Sequence, residues 1–303
     1  MPAERPTVPE YSNVRYLQSK QPVDDRAINR QVLDALARHI RDRSGTLRVL
    51  ELGAGVGTMV SRLADWNVLE RAEYTLVDRD AESLAAARQH LERWGSVTQS
   101  SADAIAIERA QARLDVEFVR SDLFSFLSAA SRGEKYDLVF ANAVLDLTDL
   151  EPTLPQIWRA LEPGAGYWFT INFDGETIFM PEHPLDATVA SLYHGTMTAD
   201  AAGTRAGHPQ TGRRLLLELP RSGATIGAAG SSDWVVYPRG GRYPGDEGYF
   251  LHHILETVRE ALAAHAALDG RALDAWLSAR RGQVDRAELV YIAHQLDVFG
   301  TVP

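Results

Sequence analysis

Three acidic side chains and one amide stand at the ends of successive apolar runs in this chain: Glu51, Asp78, Asp122 and Asn142. Glu51 belongs to Arg48-Val-Leu-Glu-Leu-Gly-Ala-Gly-Val-Gly-Thr-Met-Val60, in which the run 49–52 passes directly into Gly53, Ala54, Gly55 and Gly57 and then into a helical pattern (Met59, Val60, Leu63). A strand that runs through glycines into a helix presents backbone N–H groups at an open crevice, where no Cβ obstructs a ligand. Asp78, followed by Arg79, closes Tyr74-Thr-Leu-Val-Asp78. A carboxylate at that place can accept two neighbouring hydroxyls at once. Asp80 is better placed as the N-cap of the helix over 81–94. Asp122, with Leu123, ends Val116-Glu-Phe-Val-Arg-Ser-Asp122, where it either meets a ligand or caps the helix over 124–130.

The elements that hold these residues alternate. Strands over 49–52, 74–78, 116–123 and 136–142 are separated by helical patterns, and a fifth strand, Tyr167-Trp-Phe-Thr-Ile-Asn172, follows a helix over 150–161 and a Pro-Gly turn. Crossovers of this length imply a parallel, doubly wound sheet with one crevice along its C-terminal edge. A helix opening at Asp24 is expected before the first strand, preceded by a Pro-rich arm over 1–13. Residues 95–101 read as loop and 104–107 as a short extra strand. After the fifth strand the alternation lapses over 173–208. Further on, 224–238 reads as a sixth strand, 249–265 and 273–280 as helices, and 288–299 as a β-rich C-terminal run.

Glu51-x-Gly53-x-Gly55-x-Gly57 resembles motif I of the class I S-adenosylmethionine (SAM)-dependent methyltransferases. It departs from the G-x-G-x-x-G of dinucleotide binders, which counts against a nicotinamide enzyme. The resemblance implies a Rossmann-like, mostly parallel seven-stranded α/β sheet with an antiparallel last strand, an N-terminal helical arm and lid over 1–45, a SAM-binding domain over 46–303, and a substrate-side insertion at 173–208. It implies SAM as cofactor and S-adenosylhomocysteine (SAH) as product. Glu51, Gly53, Ala54, Gly55, Gly57, Asp78, Arg79, Asp122, Leu123 and Asn142 would line the cofactor site, with Asp78 on the ribose and Asp122 on the adenine amino group. Asp146 lies just past the fourth strand, as proton acceptor or helix cap. Asp146, Asp174 and His194 are the catalytic candidates; His183 and Tyr193 join Asp174 and His194 as candidates for the substrate wall. Arg15, Tyr16, Lys20 and Asn29 are candidate lid contacts.

Composition narrows the partners. The chain has 303 residues, a net charge of −10 and no cysteine, so thiolate chemistry and disulfides are absent, and no basic cluster invites a phosphate backbone. No His/Asp/Glu set has metal-ligand spacing, and His252 and His253, being adjacent, do not share a helix face. The expectation is a cytoplasmic methyltransferase acting on a small molecule, without nucleic acid or membrane and compatible with a homodimer. The alternative is a non-catalytic SAM-binding scaffold or sensor.

Overall fold

The computed structural model describes residues 11–198 and 207–303. Two helices come first, α1 (Asn13–Ala27) and α2 (Arg30–Arg41). The sequence predicts one helix opening at Asp24, but the chain breaks between them: Asn29 is extended, and its side chain accepts the N–H groups of Gln31 and Val32 to cap α2. Residues 24–27 are thus the end of α1. That helix escaped the sequence reading because its buried face mixes Val23 and Ala27 with Ser19, Lys20 and Asp24 and shows no apolar stripe. Of the arm expected over 1–13, residues 1–10 lie outside the described residues, and Asn13 already belongs to α1.

The alternation then runs β1 (Leu47–Leu52), α3 (Thr58–Asp65), β2 (Arg71–Asp78), α4 (Ala81–Trp94), and a hairpin β3 (Ser96–Ser100) and β4 (Ala104–Arg109) leading into β5 (Ala112–Arg120). It continues through α5 (Leu123–Ala130), β6 (Tyr136–Asn142), α6 (Leu150–Trp158) and the long β7 (Leu161–Met180). After α7 (Asp186–Thr196) and α8 (Thr211–Arg221) come β8 (Thr225–Ser231), β9 (Trp234–Val236), α9 (Glu247–Leu262), α10 (Gly270–Asp285) and β10 (Val290–Thr301). The strand order is β3-β4-β5-β2-β1-β6-β7-β10-β8, with β9 on the far part of β10. Strands β5, β2, β1, β6 and β7 are parallel, and β10 runs antiparallel between β7 and β8.

The seven expected strands are therefore present inside a ten-stranded sheet. The additions have local causes. Residues 96–100 form β3 although all five are exposed, because they pair with β4 at the sheet edge, where no apolar pattern is required. The predicted sixth strand is split at Ser232 and Asp233 into β8 and β9. Residues 173–180, expected to leave the sheet, extend β7 because β10 is long enough to pair with them, Phe179 facing Tyr291 and Ile178 facing Ile292.

Side chains alternate between two cores. Val49, Phe140 and Trp168 face the layer of α1, α2, α3, α4, α9 and α10; Leu50, Leu52, Val139 and Phe169 face α5, α6 and α8. The layers meet the sheet tightly at Gly57, the left-handed N-cap of α3 with φ of 67°. A Cβ there would stand 2.8 Å from the Ala87 Cβ of α4. Gly57→Ala is expected to lower the unfolding free energy by about 3 kcal/mol, from left-handed strain plus overpacking. Urea melts check this; a loss below about 1 kcal/mol would mean that α4 yields to the added methyl.

Candidate active site

The register brings the strand ends level: Leu52 lies beside both Val77 and Ala141, and Val77 beside Val119. Backbone bonds then lace the loops together, Ala54 N–H donating to the Val77 carbonyl and Ser121 N–H to that of Asp78, each at 3.0 Å. Gly53 and Gly55 have φ of 64° and 53°. A Cβ on Gly53 would collide with Val144, and one on Gly55 would lie 3.1 Å from Leu17 Cδ1 of α1. The loop is thus held between the turn after β6 and the first helix, and only glycine fits it there.

Asp78 is the hub of this edge. Its Oδ2 accepts Gly55 N–H at 2.8 Å and its Oδ1 accepts Asp80 N–H at 2.9 Å, which orients the carboxylate and leaves a second acceptor site on each oxygen. Asp80 caps α4, accepting from Glu82 and Ser83, as its position implies. Arg79 is exposed. Asp122 caps α5, its Oδ1 taking the N–H groups of Phe124 and Ser125, and hydrogen bonding by Ser125 and by those N–H groups holds its pKa below the usual carboxylate value. Leu123 packs beside it on the core under α5. Asn142 accepts the Thr170 hydroxyl at 3.0 Å, so the ends of β6 and β7 are tied.

Glu51 lies beneath the glycine loop, 2 % exposed, and accepts the Tyr74 hydroxyl at 2.8 Å. Burial pushes its pKa up to about 7, against the opposing pull of the Tyr74 bond and the Arg62 charge. A carboxyl with a raised folded-state pKa favours the native state fully below its unfolded value and loses that advantage as pH rises through the folded one. Wild-type protein is therefore expected to lose roughly 3 kcal/mol relative to Glu51→Gln between pH 4.5 and pH 8. Urea unfolding of both proteins at the two pH values measures the difference; parallel profiles would contradict it.

A second group gathers beside this edge, under α1 and α7. Asp146 sits in the 3₁₀ turn after β6, and its Oδ1 is buried without a hydrogen-bond partner. Burial raises its pKa to about 6, with Lys20 of α1 pulling the other way. Tyr16 of α1 is stacked on His253, ring centroids 4.0 Å apart, and Tyr193 of α7 feels the Asp146 charge. Burial pushes the Tyr193 phenol up to about 12. Tyr291 of β10 packs against Phe250, on which Tyr16 is stacked. It is a residue that sequence reasoning missed, since nothing separates it from the other β-formers of its run. Lys20 is paired with Asp24, which also accepts Trp234 Nε1–H at 2.8 Å.

Other candidates have different partners. Asp174, 3 % exposed, faces the α8 side of the sheet, where Arg213 binds it through N–H at 2.8 Å and Nε at 2.9 Å. Residue alternation along β7 puts it on the opposite face from Tyr193, and its carboxylate anchors the start of α8. His194 is nearer, half-buried edge-on to Phe173 with Nε2 3.0 Å from the Thr177 hydroxyl, and burial lowers its pKa. His183 Nδ1 accepts Leu185 N–H at the start of α7. Arg15 pairs with Asp246 on the exterior, and Asn29 serves as a cap, so of the four lid candidates only Tyr16 and Lys20 reach this group. Of the insertion 173–208, residues 199–206 lie outside the described residues. Among the described residues no set of three His, Asp or Glu side chains has metal-binding geometry, and no helix is long and apolar enough to cross a membrane.

Residues 50–167 match the family described as "Methyltransferase domain". No curated protein matches the chain in sequence. Solved structures similar to it include a SAM-dependent methyltransferase from Thiobacillus denitrificans in complex with SAH (18 % identity, 98 % of this chain and 99 % of that one, TM-score 0.49). A SAM-dependent methyltransferase from Geobacter sulfurreducens, also with SAH, is similar at 16 % identity over 98 % and 100 % of the two chains, TM-score 0.49. A phosphoethanolamine N-methyltransferase from Haemonchus contortus, with phosphomonomethylethanolamine and SAH, is similar at 13 % identity over 97 % of this chain and 58 % of that one, TM-score 0.43. These likenesses are faint, and the likeness to a methyltransferase rests on the domain matched over 50–167. The matched stretch holds the glycine loop, Asp78, Asp122 and Asn142, and what the comparisons show of this chain is that likeness to a methyltransferase domain.

Proposed function

We propose that this protein methylates a small-molecule acceptor bound beside Asp146, under α1 and α7. The observation that carries the reading is Asp146 itself, whose buried, unpaired Oδ1 stands just past the β6 end of the glycine-loop crevice. A polar atom left unsatisfied in a buried place is costly, and a ligand group is one way to satisfy it. Lys20 of α1 and Tyr193 of α7 are within electrostatic range of it, and its own turn packs on β7 and α8, an enclosure that favours a small acceptor. The net charge of −10 adds no attraction for a nucleic acid.

The residues present fit the cofactor. Asp78, oriented by two backbone N–H groups, has acceptor capacity for the ribose diol. Asp122 would take the adenine amino group and Leu123 its ring face. Gly53, Ala54 and Gly55 leave room for the methionine end, with Asn142 beside it; Glu51 supports the loop from below. When bound, SAM supplies an activated methyl group whose leaving group is already in place. What remains for the chain is orientation and exclusion of water, which Leu17 and Val144 serve by closing over the loop. Asp146 Oδ1 is positioned to accept a proton from the acceptor.

The test is incubation with methyl-labelled SAM, offering separately a mixture of small amines, alcohols and acids, a total RNA fraction and a protein fraction. Label in the low-mass fraction is expected. Label in RNA or protein would overturn the small-molecule reading, and SAH binding with no label transferred anywhere would favour a scaffold.

A further inference from the structure

Strand β7 runs on past the end of β6, and the sheet it builds there with β10 and β9 has an apolar outer face. Alternation sends Phe179, Tyr291 and Val236 of these three strands into the core, where each is buried. A sheet with one face in the core ordinarily turns polar residues outward. Here the outward positions are Ile178 and Met180 of β7, Val290 and Ile292 of β10, and Val235 and Tyr237 at β9. The register sets Ile292 beside both Ile178 and Val235, and Val290 beside Met180, so the side chains form one continuous surface. Ile178, Met180, Val235 and Tyr237 are between 38 % and 43 % exposed. Helix α8, which packs on this side of the sheet, starts at Asp174 and runs toward Tyr167 and Val302, away from the patch. A contiguous exposed apolar surface of this kind marks an interaction site.

Charge marks its two ends. Two positions along the strands from Ile178, Ile292 and Val235 stand Glu176, His294 and Asp233, with Asp233 Oδ1 2.8 Å from His294 Nδ1. At the other end Arg239 lies over the Tyr237 ring, 4.9 Å from its centroid, and Arg242 is bridged to it through the backbone. Among the described residues neither arginine has an ion-pair partner, and Glu176 has none. An acidic end, an apolar centre and a basic end make the surface complementary to itself. A two-fold axis lying across the strands lays each strand over its own counterpart in reverse. The Asp233 end of one copy then meets the Arg239 end of the other, and by symmetry this happens twice. An anionic lipid surface would instead meet the Glu176 and Asp233 end as like charge.

We infer that this face is the contact between two copies of the chain, apolar centre on apolar centre, with the Asp233 end of each against the Arg239 end of the other. The inference does not rest on the methyl-transfer reading. The patch is modest beside the roughly 800 Å² per partner of a standard interface, so the dimer is reversible, with a Kd of about 10 µM.

Sedimentation velocity of the full chain from about 2 to about 200 µM is expected to show a monomer–dimer equilibrium. Ile292→Lys, at the centre, should raise Kd at least about 30-fold. Ile178→Lys, at a more exposed position where a lysine leaves the fold undisturbed, should raise it at least about 10-fold. Arg239→Glu should raise it about 10-fold, since like charges then meet at two places. Adding Asp233→Arg to that variant should bring Kd back to within about 3-fold of wild type. A thermal melt of each variant shows that it is folded. Monomer at every concentration, a dimer indifferent to both lysine variants, or one indifferent to the charge reversal and its rescue overturns the inference. Monomeric protein that co-sediments with phosphatidylcholine–phosphatidylglycerol vesicles would assign the face to a lipid surface and overturn it as well.

Discussion

Asp78→Ala is expected to weaken SAH binding about 100-fold while the protein stays folded. The carboxylate is at the surface of the crevice, so removing it opens no core cavity. What is lost is the pair of charge-assisted bonds available to a ribose diol, each worth about 1.5–3 kcal/mol. Part of the loss would be indirect, because Gly55 N–H and Asp80 N–H would no longer share an acceptor and the glycine loop would loosen. Asp78→Asn, which keeps one oxygen, should fall between, at about 10-fold. Calorimetry and a thermal melt on the same samples separate the two effects. Unchanged affinity in the alanine variant would remove Asp78 from the cofactor site.

The second large effect is expected at Asp146. As proton acceptor it must be ionised, and burial sets its pKa at about 6. The rate should therefore rise with pH through about 6 and level off above it, since the protonated carboxyl at lower pH has no free site for the acceptor's proton. Asp146→Asn should reduce turnover about 100-fold, the lower range for loss of a general base, and should abolish that acid limb. SAH affinity should change less than about 2-fold, because the carboxylate belongs to the acceptor side. A variant that turns over normally, or that loses SAH binding in proportion, would move Asp146 out of this role. Asp174, by contrast, is held by Arg213 on the other face of the sheet, and its substitution should be felt in the anchoring of α8.

The parallel half of the sheet was legible in the sequence because each strand is an apolar run bounded by a turn or an acid, and crossover helices announce themselves by period. Gly53, Gly55 and Gly57 were legible for a related reason, since their left-handed backbone excludes other residues. The parts that were not legible depend on partners distant in the chain. Residues 173–180 form strand only because β10 pairs with them. Asp174 and His194 lie only 20 positions apart, yet alternation along β7 and the docking of α7 put them on opposite faces of the sheet. Tyr16 of α1 and Tyr291 of β10 both pack against Phe250 of α9, which nothing local in either segment announces. Ile171 illustrates the same limit. Its left-handed φ of 57° within β7 is tolerated because the buried Asp297 accepts its N–H at 2.8 Å, a contact across 126 residues.

The cofactor crevice is the claim on which everything else stands. Its most direct test is calorimetric titration of the purified protein with SAH, run beside NADH. Micromolar binding of SAH with no heat from NADH is the result this structure calls for. Binding of NADH alone would overturn the assignment of the glycine loop and of Asp78 together, and binding of neither would remove the crevice as a SAM site in the free protein.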